Sequence, residues 1–289
     1  MRYWVVGARG MLGQAVVRAL HGKEYLATGR EEADLVNLDS LRRCAGRFRP
    51  DVILNCAAYT AVDAAEDDQV MAMAVNRDGV LNLAHVAHEH DCRLVHVSTD
   101  YVFDGQARFP YRENTSCSPQ GVYGTTKLAG EKAIQEVLQG RGVILRTSWL
   151  FGPGGNNFVR TMVRLMLSRP QIGVVNDQRG RPTFTEDLAR CMAVVSASEV
   201  EGGVYHFANK EEVSWFEFAQ AIKELVGENC FCREIASLQT HEYPTRAPRP
   251  TYSVLDTTKI SSLMEPRSWR EPLKDYVENL VQEMKESYQ

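Results

Sequence analysis

Tyr123 and Lys127 stand four positions apart in Tyr123-Gly-Thr-Thr-Lys127. On a helix that spacing places both side chains on one face. A free phenol has a pKa of about 10 and is protonated at neutral pH. A fixed positive charge beside it favours the phenolate and lowers that value, so the phenol could exchange a proton with a substrate oxygen near neutrality. Ser98-Thr99-Asp100-Tyr101, further upstream, adds hydroxyls and a carboxylate. The bland alternative is a buried tyrosine and a surface lysine at coincidental spacing. The surroundings must decide between the two.

The next chemistry-bearing segment is Gly7-Ala-Arg-Gly10-Met-Leu-Gly13, directly after the apolar run Tyr3-Trp-Val-Val6. A glycine-rich turn between a strand and a helix admits close backbone approach to a dinucleotide pyrophosphate and presents the helix N-terminal N–H groups to it. The spacing is Gly-x-x-Gly-x-x-Gly rather than Gly-x-Gly-x-x-Gly, so its position carries more weight than its pattern. An acidic residue that would hold an NAD ribose is not clear at the end of the second strand, which reads Ala27-Thr-Gly-Arg30. Arg9 and Arg30 together suit a ribose 2′-phosphate, which favours NADPH. In the alternative both arginines are solvated, Glu31 takes the ribose and NADH serves.

These residues need a frame. Up to about residue 150 short apolar runs alternate with longer helical patterns, as βαβ units around a parallel sheet do. Strands are predicted at 3–7, 25–28, 52–55, 94–98 and 143–147, with helices at 11–20, 41–48, 70–90 and 121–138. Beyond Gly152-Pro-Gly-Gly155 the pattern is less regular, with helices at 158–168, 185–197, 214–226 and 271–285. The expected division is a dinucleotide-binding domain over 1–150, to which the chain returns around 180–210, and a smaller α/β lobe over most of 151–289.

The chain has 289 residues, 44% hydrophobic and 24% charged, which is ordinary for a globular protein able to bury a core. A net charge of −4 argues against a nucleic-acid partner. The seven cysteines are odd in number and lack Cys-x-x-Cys, so they read as reduced thiols rather than a disulfide framework. No segment is long and apolar enough to span a membrane. A cytoplasmic location is expected.

Several longer blocks sharpen the reading. Arg49-Pro-Asp-Val-Ile-Leu-Asn-Cys-Ala-Ala-Tyr-Thr-Ala-Val-Asp63 and Val97-Ser-Thr-Asp-Tyr-Val-Phe-Asp-Gly105 are followed by Arg146-Thr-Ser-Trp149, Gly155-Asn-Asn-Phe158, Asn176-Asp-Gln178 and Arg249-Pro-x-x-Ser253-x-Leu255. With the glycine loop and Tyr123/Lys127, the chain resembles an extended short-chain dehydrogenase/reductase, and more narrowly the dTDP-4-dehydrorhamnose reductases. That resemblance implies an α/β fold, a Rossmann-type doubly wound parallel sheet of order 3-2-1-4-5-6 with a smaller sugar-nucleotide-binding lobe. It implies reduction of the C4 keto group of a dTDP-linked sugar to give dTDP-L-rhamnose. Tyr123 would donate the proton, Lys127 would tune it and hold the nicotinamide ribose, and Thr99 would supply a second hydroxyl or simply cap its strand. Gly7, Arg9, Gly10, Met11, Leu12, Gly13, Arg30, Asp34 and Leu35 would line the cofactor site, with Cys56, Ala57, Ala58, Tyr59 and Asn76. Asp100, Tyr101, Trp149, Asn157 and Arg249 would contact the sugar nucleotide; the alternatives are that Trp149 is a core residue and that Asn76 caps within its helix. Dehydratases of the superfamily carry Asp-Glu where this chain has Asp100-Tyr101, so elimination is disfavoured and simple reduction favoured. Some relatives are homodimers, in certain cases bridged by Mg²⁺; no compact carboxylate motif assigns that ion here. A reductase or epimerase of another nucleotide-linked keto sugar, or a cofactor-binding regulatory subunit, are the alternatives.

Other clusters read as structural. His85, His88, His90 and Cys92 lack a convergent ligand geometry. Cys230-x-Cys232 is expected on a strand, its side chains on opposite faces. Glu131, a turn beyond Lys127, is expected to pair with it or to be helix-surface charge.

Overall fold

The computed structural model describes residues 1–286. Its centre is a six-stranded, all-parallel sheet of β1 (Arg2–Val6), β2 (Glu24–Thr28), β3 (Val52–Asn55), β4 (Arg93–Thr99), β5 (Gly142–Thr147) and β6 (Gly203–His206). The spatial order is β2-β1-β3-β4-β5-β6. This corrects the expected 3-2-1-4-5-6 order. Between β2 and β3 the chain carries only residues 29–37, which form no strand, and one helix, so no strand lies outside β2. The order still reverses beside β1, between β2 and β3, where doubly wound sheets open a crevice at the strand ends.

Period-2 alternation sends β1 side chains to two cores. Tyr3 and Val5 pack with Leu12 and Val16 of α1 (Met11–Ala19) and with Leu188, Met192 and Val195 of Thr185–Ala197. Trp4 and Val6 pack with Leu41 and Ala45 of α2 (Leu38–Phe48), Leu83 and Ala87 of α3 (Gly79–Glu89), and Ile134 and Leu138 of α4 (Val122–Leu138). The sheet is therefore covered on both faces, and its strands can be almost wholly apolar.

The helix expected over 70–90 is interrupted. Gln69–Met73 runs into a π-helical turn at Ala74–Asp78 before α3 begins. The turn is anchored from inside: Asn76 is fully buried and its side chain is bonded outside its own helix. Such π turns concentrate at functional sites.

A separate core forms where Phe158–Ser168, Trp215–Val226 and Arg270–Glu286 pack around Phe218, Ile222, Trp269 and Leu273, beside the paired strands Gln171–Val175 and Glu234–Leu238. Trp215–Val226 starts at a reciprocal cap in which Glu217 N donates to Ser214 Oγ (3.1 Å) and Ser214 N to Glu217 Oε2 (2.7 Å). Cys230 and Cys232 precede the strand Glu234–Leu238 rather than lying on it, and Cys230 Sγ donates to the Cys232 carbonyl. The histidines near the end of α3 are not a metal set: His88 contacts Arg141 at an exposed position. Among the described residues no helix is long and apolar enough to cross a membrane, and no three potential ligands converge on one point.

Candidate active site

A cleft of about 780 Å³ opens at the C-terminal ends of the strands. Its floor begins at the glycine loop. Gly7 has φ +78, and a Cβ there would lie 2.6 Å from Ala57 N, so the turn demands glycine for conformation and for space. Gly13 lies against the Gly7 carbonyl, which lets α1 start flush with the turn. By helix geometry the first-turn N–H groups of α1 have no partner in a preceding turn. With the partial positive charge of the helix end they suit a phosphate. Gly7, Arg9, Gly10, Met11, Leu12, Arg30, Asp34, Leu35, Cys56, Ala57, Ala58 and Tyr59 all line this cleft.

Two expected cofactor residues lie behind the lining. Gly13 serves the packing of the loop. Asn76 accepts from Tyr59 N (2.8 Å) through Oδ1 and donates from Nδ2 to Tyr59 O (3.1 Å) and Thr126 Oγ1 (3.1 Å). It therefore holds the 56–60 wall from within. Arg9 is engaged by Glu31 (3.1 Å) and Glu32, and Arg30 lies 3.7 Å from Asp34. Arg9 and Arg30 are exposed, so these pairs contribute little and can exchange partners. The donor chemistry and the glycine cradle fit a dinucleotide bearing a 2′-phosphate.

The reactive end is assembled by β4 and α4. Thr99 ends β4 in extended conformation, and its hydroxyl accepts from Tyr101 N (3.2 Å) and donates to Asp100 Oδ1 (3.0 Å). It thus caps the turn Asp100–Val102 and also faces the cleft, close enough to the Tyr123 phenol to act on its pKa. Tyr101 sets its ring edgewise on Tyr123, centroids 5.6 Å apart. Asp100 is almost fully buried, and burial pushes its carboxyl up to about 6 against the Thr99 hydrogen bond.

Tyr123 and Lys127 both line the cleft, but their coupling differs from expectation. Burial pushes the Tyr123 phenol up to about 12, with Thr99 pulling the other way. Lys127 Nζ is turned to the Val97 carbonyl (2.7 Å) and His96 Nε2 (3.1 Å), and burial brings its pKa down to about 8 against the opposing charge of Glu131. No cationic influence of Lys127 lowers the phenol in this state. Tyr123 is therefore a protonated donor rather than a phenolate.

Glu131 is neither surface charge nor the partner of Lys127. It is 1% exposed and binds Arg146 of β5 through Nη2 (2.6 Å) and Nε (2.9 Å). Ser98 Oγ also donates to it (2.5 Å). Burial works against the Arg146 cation, but the Glu131 hydrogen bonds outweigh it and raise its pKa. This buried pair ties the helix of Tyr123 to the strand end of Thr99. Sequence reasoning missed it because an i, i+4 partner on the same helix looked sufficient.

The remaining expected residues separate. Trp149 lines the cleft, with its backbone at φ +48, and its indole stacks on Trp215, centroids 3.5 Å apart. Asn157 does not line it: its Oδ1 caps Phe158–Ser168 by accepting from Arg160 N (3.1 Å), while its Nδ2 donates to Gly152 O (2.9 Å) and Tyr276 Oη (3.0 Å). The neighbouring Asn156 lines the cleft instead. Arg249 borders an adjoining hollow of about 200 Å³ that shares Tyr101 with the cleft, and it is anchored to Asp63 (2.6 Å). Nothing in the sequence linked Trp215 to the site; His96, a polar residue inside an apolar strand, was a signal left unread.

Comparison with known proteins agrees with this geometry. The family model described as the RmlD substrate binding domain matches residues 1–282. The chain is 40% identical to a dTDP-4-dehydrorhamnose reductase of Aggregatibacter actinomycetemcomitans, over 95% of this chain and 97% of that one. It is similar to the crystal structure of a dTDP-4-dehydrorhamnose reductase from Clostridium acetobutylicum, with a TM-score of 0.91 at 37% identity, covering 97% and 99% of the two chains. A Bacillus anthracis dTDP-4-dehydrorhamnose reductase solved in complex with NADP gives a TM-score of 0.90 at 34% identity, covering 95% and 98%. With a doubly wound sheet, a glycine-loop cleft and a Thr/Tyr/Lys cluster at its head, the chain belongs to the dTDP-4-dehydrorhamnose reductase family.

Proposed function

We propose that this protein reduces the C4 keto group of dTDP-4-dehydrorhamnose to dTDP-L-rhamnose with NADPH. The observation that carries the reading is that Thr99, Tyr123 and Lys127 meet in the same cleft as the glycine loop and the two arginines. When bound, the reduced nicotinamide supplies the hydride. The chain's own residues must meet the charge that grows on the carbonyl oxygen and deliver a proton to it. Tyr123 is the proton donor, and its raised phenol keeps it loaded at neutral pH. Thr99 is the second hydroxyl group facing the same oxygen, released from Asp100 by rotation about its side-chain bond. Lys127 is the group that holds the nicotinamide ribose. Arg9 and Arg30 receive the 2′-phosphate, and the first-turn N–H groups of Met11 and Leu12 receive the pyrophosphate.

Asp100, Tyr101 and Trp149 contact the sugar nucleotide, with Arg249 reaching it from the adjoining hollow. Residues 151–289 supply most of the sugar-nucleotide lobe, and residues 1–150 most of the cofactor domain. NADPH oxidation assayed with dTDP-4-keto-6-deoxyhexoses and with UDP-linked counterparts tests the reading. Turnover confined to the dTDP-linked ketone is the expected result, and absence of turnover with every keto sugar sinks it.

A further inference from the structure

Lys127 sits at the end of a buried hydrogen-bond chain whose direction follows from one fixed donor. The backbone N–H of Ala57 donates to Asn55 Oδ1 at 3.0 Å. A backbone N–H can only donate, so the Asn55 amide is oriented with Nδ2 toward His96 Nδ1, 2.9 Å away. An amide Nδ2 also only donates, which makes Nδ1 of His96 the acceptor. His96 is fully buried, and burial, with Lys127 nearby, keeps its imidazole neutral. A neutral imidazole carries one N–H. That proton is therefore on Nε2, facing Lys127 Nζ at 3.1 Å.

An ammonium has three donors and no acceptor, so it would set N–H against N–H at this contact. An amine resolves the conflict. Its lone pair accepts from His96, one N–H donates to the Val97 carbonyl (2.7 Å), and one remains for the cleft. We propose that His96, held in a single tautomer by Asn55, is a positioning residue that keeps Lys127 as a neutral amine in the free protein. The surrounding charges do not overturn this. Glu131, one turn along α4, favours the cation, but it is already bound by Arg146 of β5 and by Ser98. Tyr123, one turn back, is a protonated phenol. Asp100, beyond β4, is bonded to Thr99. Burial lowers the Lys127 pKa, the same direction in which the chain of donors acts.

The consequence is that Lys127 gains its charge only when a ligand of the cleft draws Nζ away from His96. Until then the phenol has no cation beside it and keeps its proton. This rests on the role given to Lys127 above, yet it is tested without substrate or cofactor, so the two readings fail separately. In the free protein, labelled with ¹⁵N in histidine and ¹³C at lysine Cε, NMR is expected to show His96 as the Nε2–H tautomer. Lys127 is expected to titrate below neutral pH, lower than the value of about 8 to which burial brings it. In His96→Phe that titration moves up by about one unit or more. In His96→Gln, whose amide can donate where Nε2 did, it stays near the wild-type value. An Nδ1–H tautomer in the wild type, or a Lys127 titration unmoved in His96→Phe, overturns the proposal. The wild-type tautomer decides the matter even where the phenylalanine variant does not fold.

Discussion

The indole of Trp149 lies flat on that of Trp215, with centroids 3.5 Å apart and planes within 7°. Trp149 follows β5 and lines the cleft, while Trp215 opens a helix of the second core. Gly180 makes room for the pair, since a Cβ there would stand 2.5 Å from Trp149 Cε2. An aromatic pair of this kind is worth about 0.5–1.5 kcal/mol beyond its buried area. Trp215→Ala, which removes no lining side chain, is expected to raise KM for the sugar nucleotide about three- to tenfold while leaving NADPH affinity within about twofold. An unchanged KM in steady-state assays would reduce the stack to packing.

Tyr123→Phe keeps the ring that Tyr101 packs against and deletes only the hydroxyl. A fall in kcat of about a hundredfold or more is expected, with NADPH binding unchanged by fluorescence titration. A loss of only about twofold would mean that another group delivers the proton.

The buried Glu131–Arg146 pair sets the distance between α4 and the end of β4. Glu131→Leu strands the Arg146 cation and should cost about 3–5 kcal/mol of stability, measured by urea unfolding. Glu131→Leu combined with Arg146→Met should recover most of that loss, because well-packed apolar replacements of a buried pair are often neutral. The double variant should nevertheless remain less active than its stability implies if the pair positions Ser98 and Thr99.

On the proposed reading Arg9 and Arg30 provide the preference for NADPH over NADH. Arg9→Ala and Arg30→Ala are each expected to lower the NADPH:NADH ratio of kcat/KM about tenfold or more, the scale of a hydrogen bond to a charged group. A ratio that stays constant would return the ribose to Glu31.

Stability should fall in acid. His206 is buried and its pKa is held down at about 3, burial being the largest cause, and His96 is likewise well below its ordinary value. As pH drops below about 6.5 the unfolded chain takes up protons that the native histidines refuse. Each such site removes up to about 1.4 kcal/mol per pH unit in that window. Asp100, raised to about 6, binds its proton earlier in the native state and opposes the trend below that pH. Two histidines outweigh one carboxyl, so urea midpoints should decline from pH 7 to 5. His206→Gln should decline less steeply, and a parallel decline would remove His206 from the account.

What the sequence determined by itself was local. The glycine loop requires Gly7 at a positive φ and a small residue at Gly13 wherever the rest of the chain goes. The i, i+4 spacing of Tyr123 and Lys127 puts them on one helix face, and the alternation of apolar runs with helical patterns implies a parallel sheet covered on both sides. The lining of the cleft around the glycine loop was therefore legible almost residue by residue. What tertiary structure alone decided was which polar groups meet across elements. Glu131 found Arg146 on a strand rather than Lys127 on its own helix, and Asn76 turned inward to the Tyr59 backbone. Asn157 spent its amide on a cap and a loop, and Lys127 was drawn to His96 and Val97 instead of to Tyr123. The physical reason is desolvation. A buried donor or acceptor must be satisfied by whatever the fold brings within reach, and for these side chains that partner lies far away in sequence.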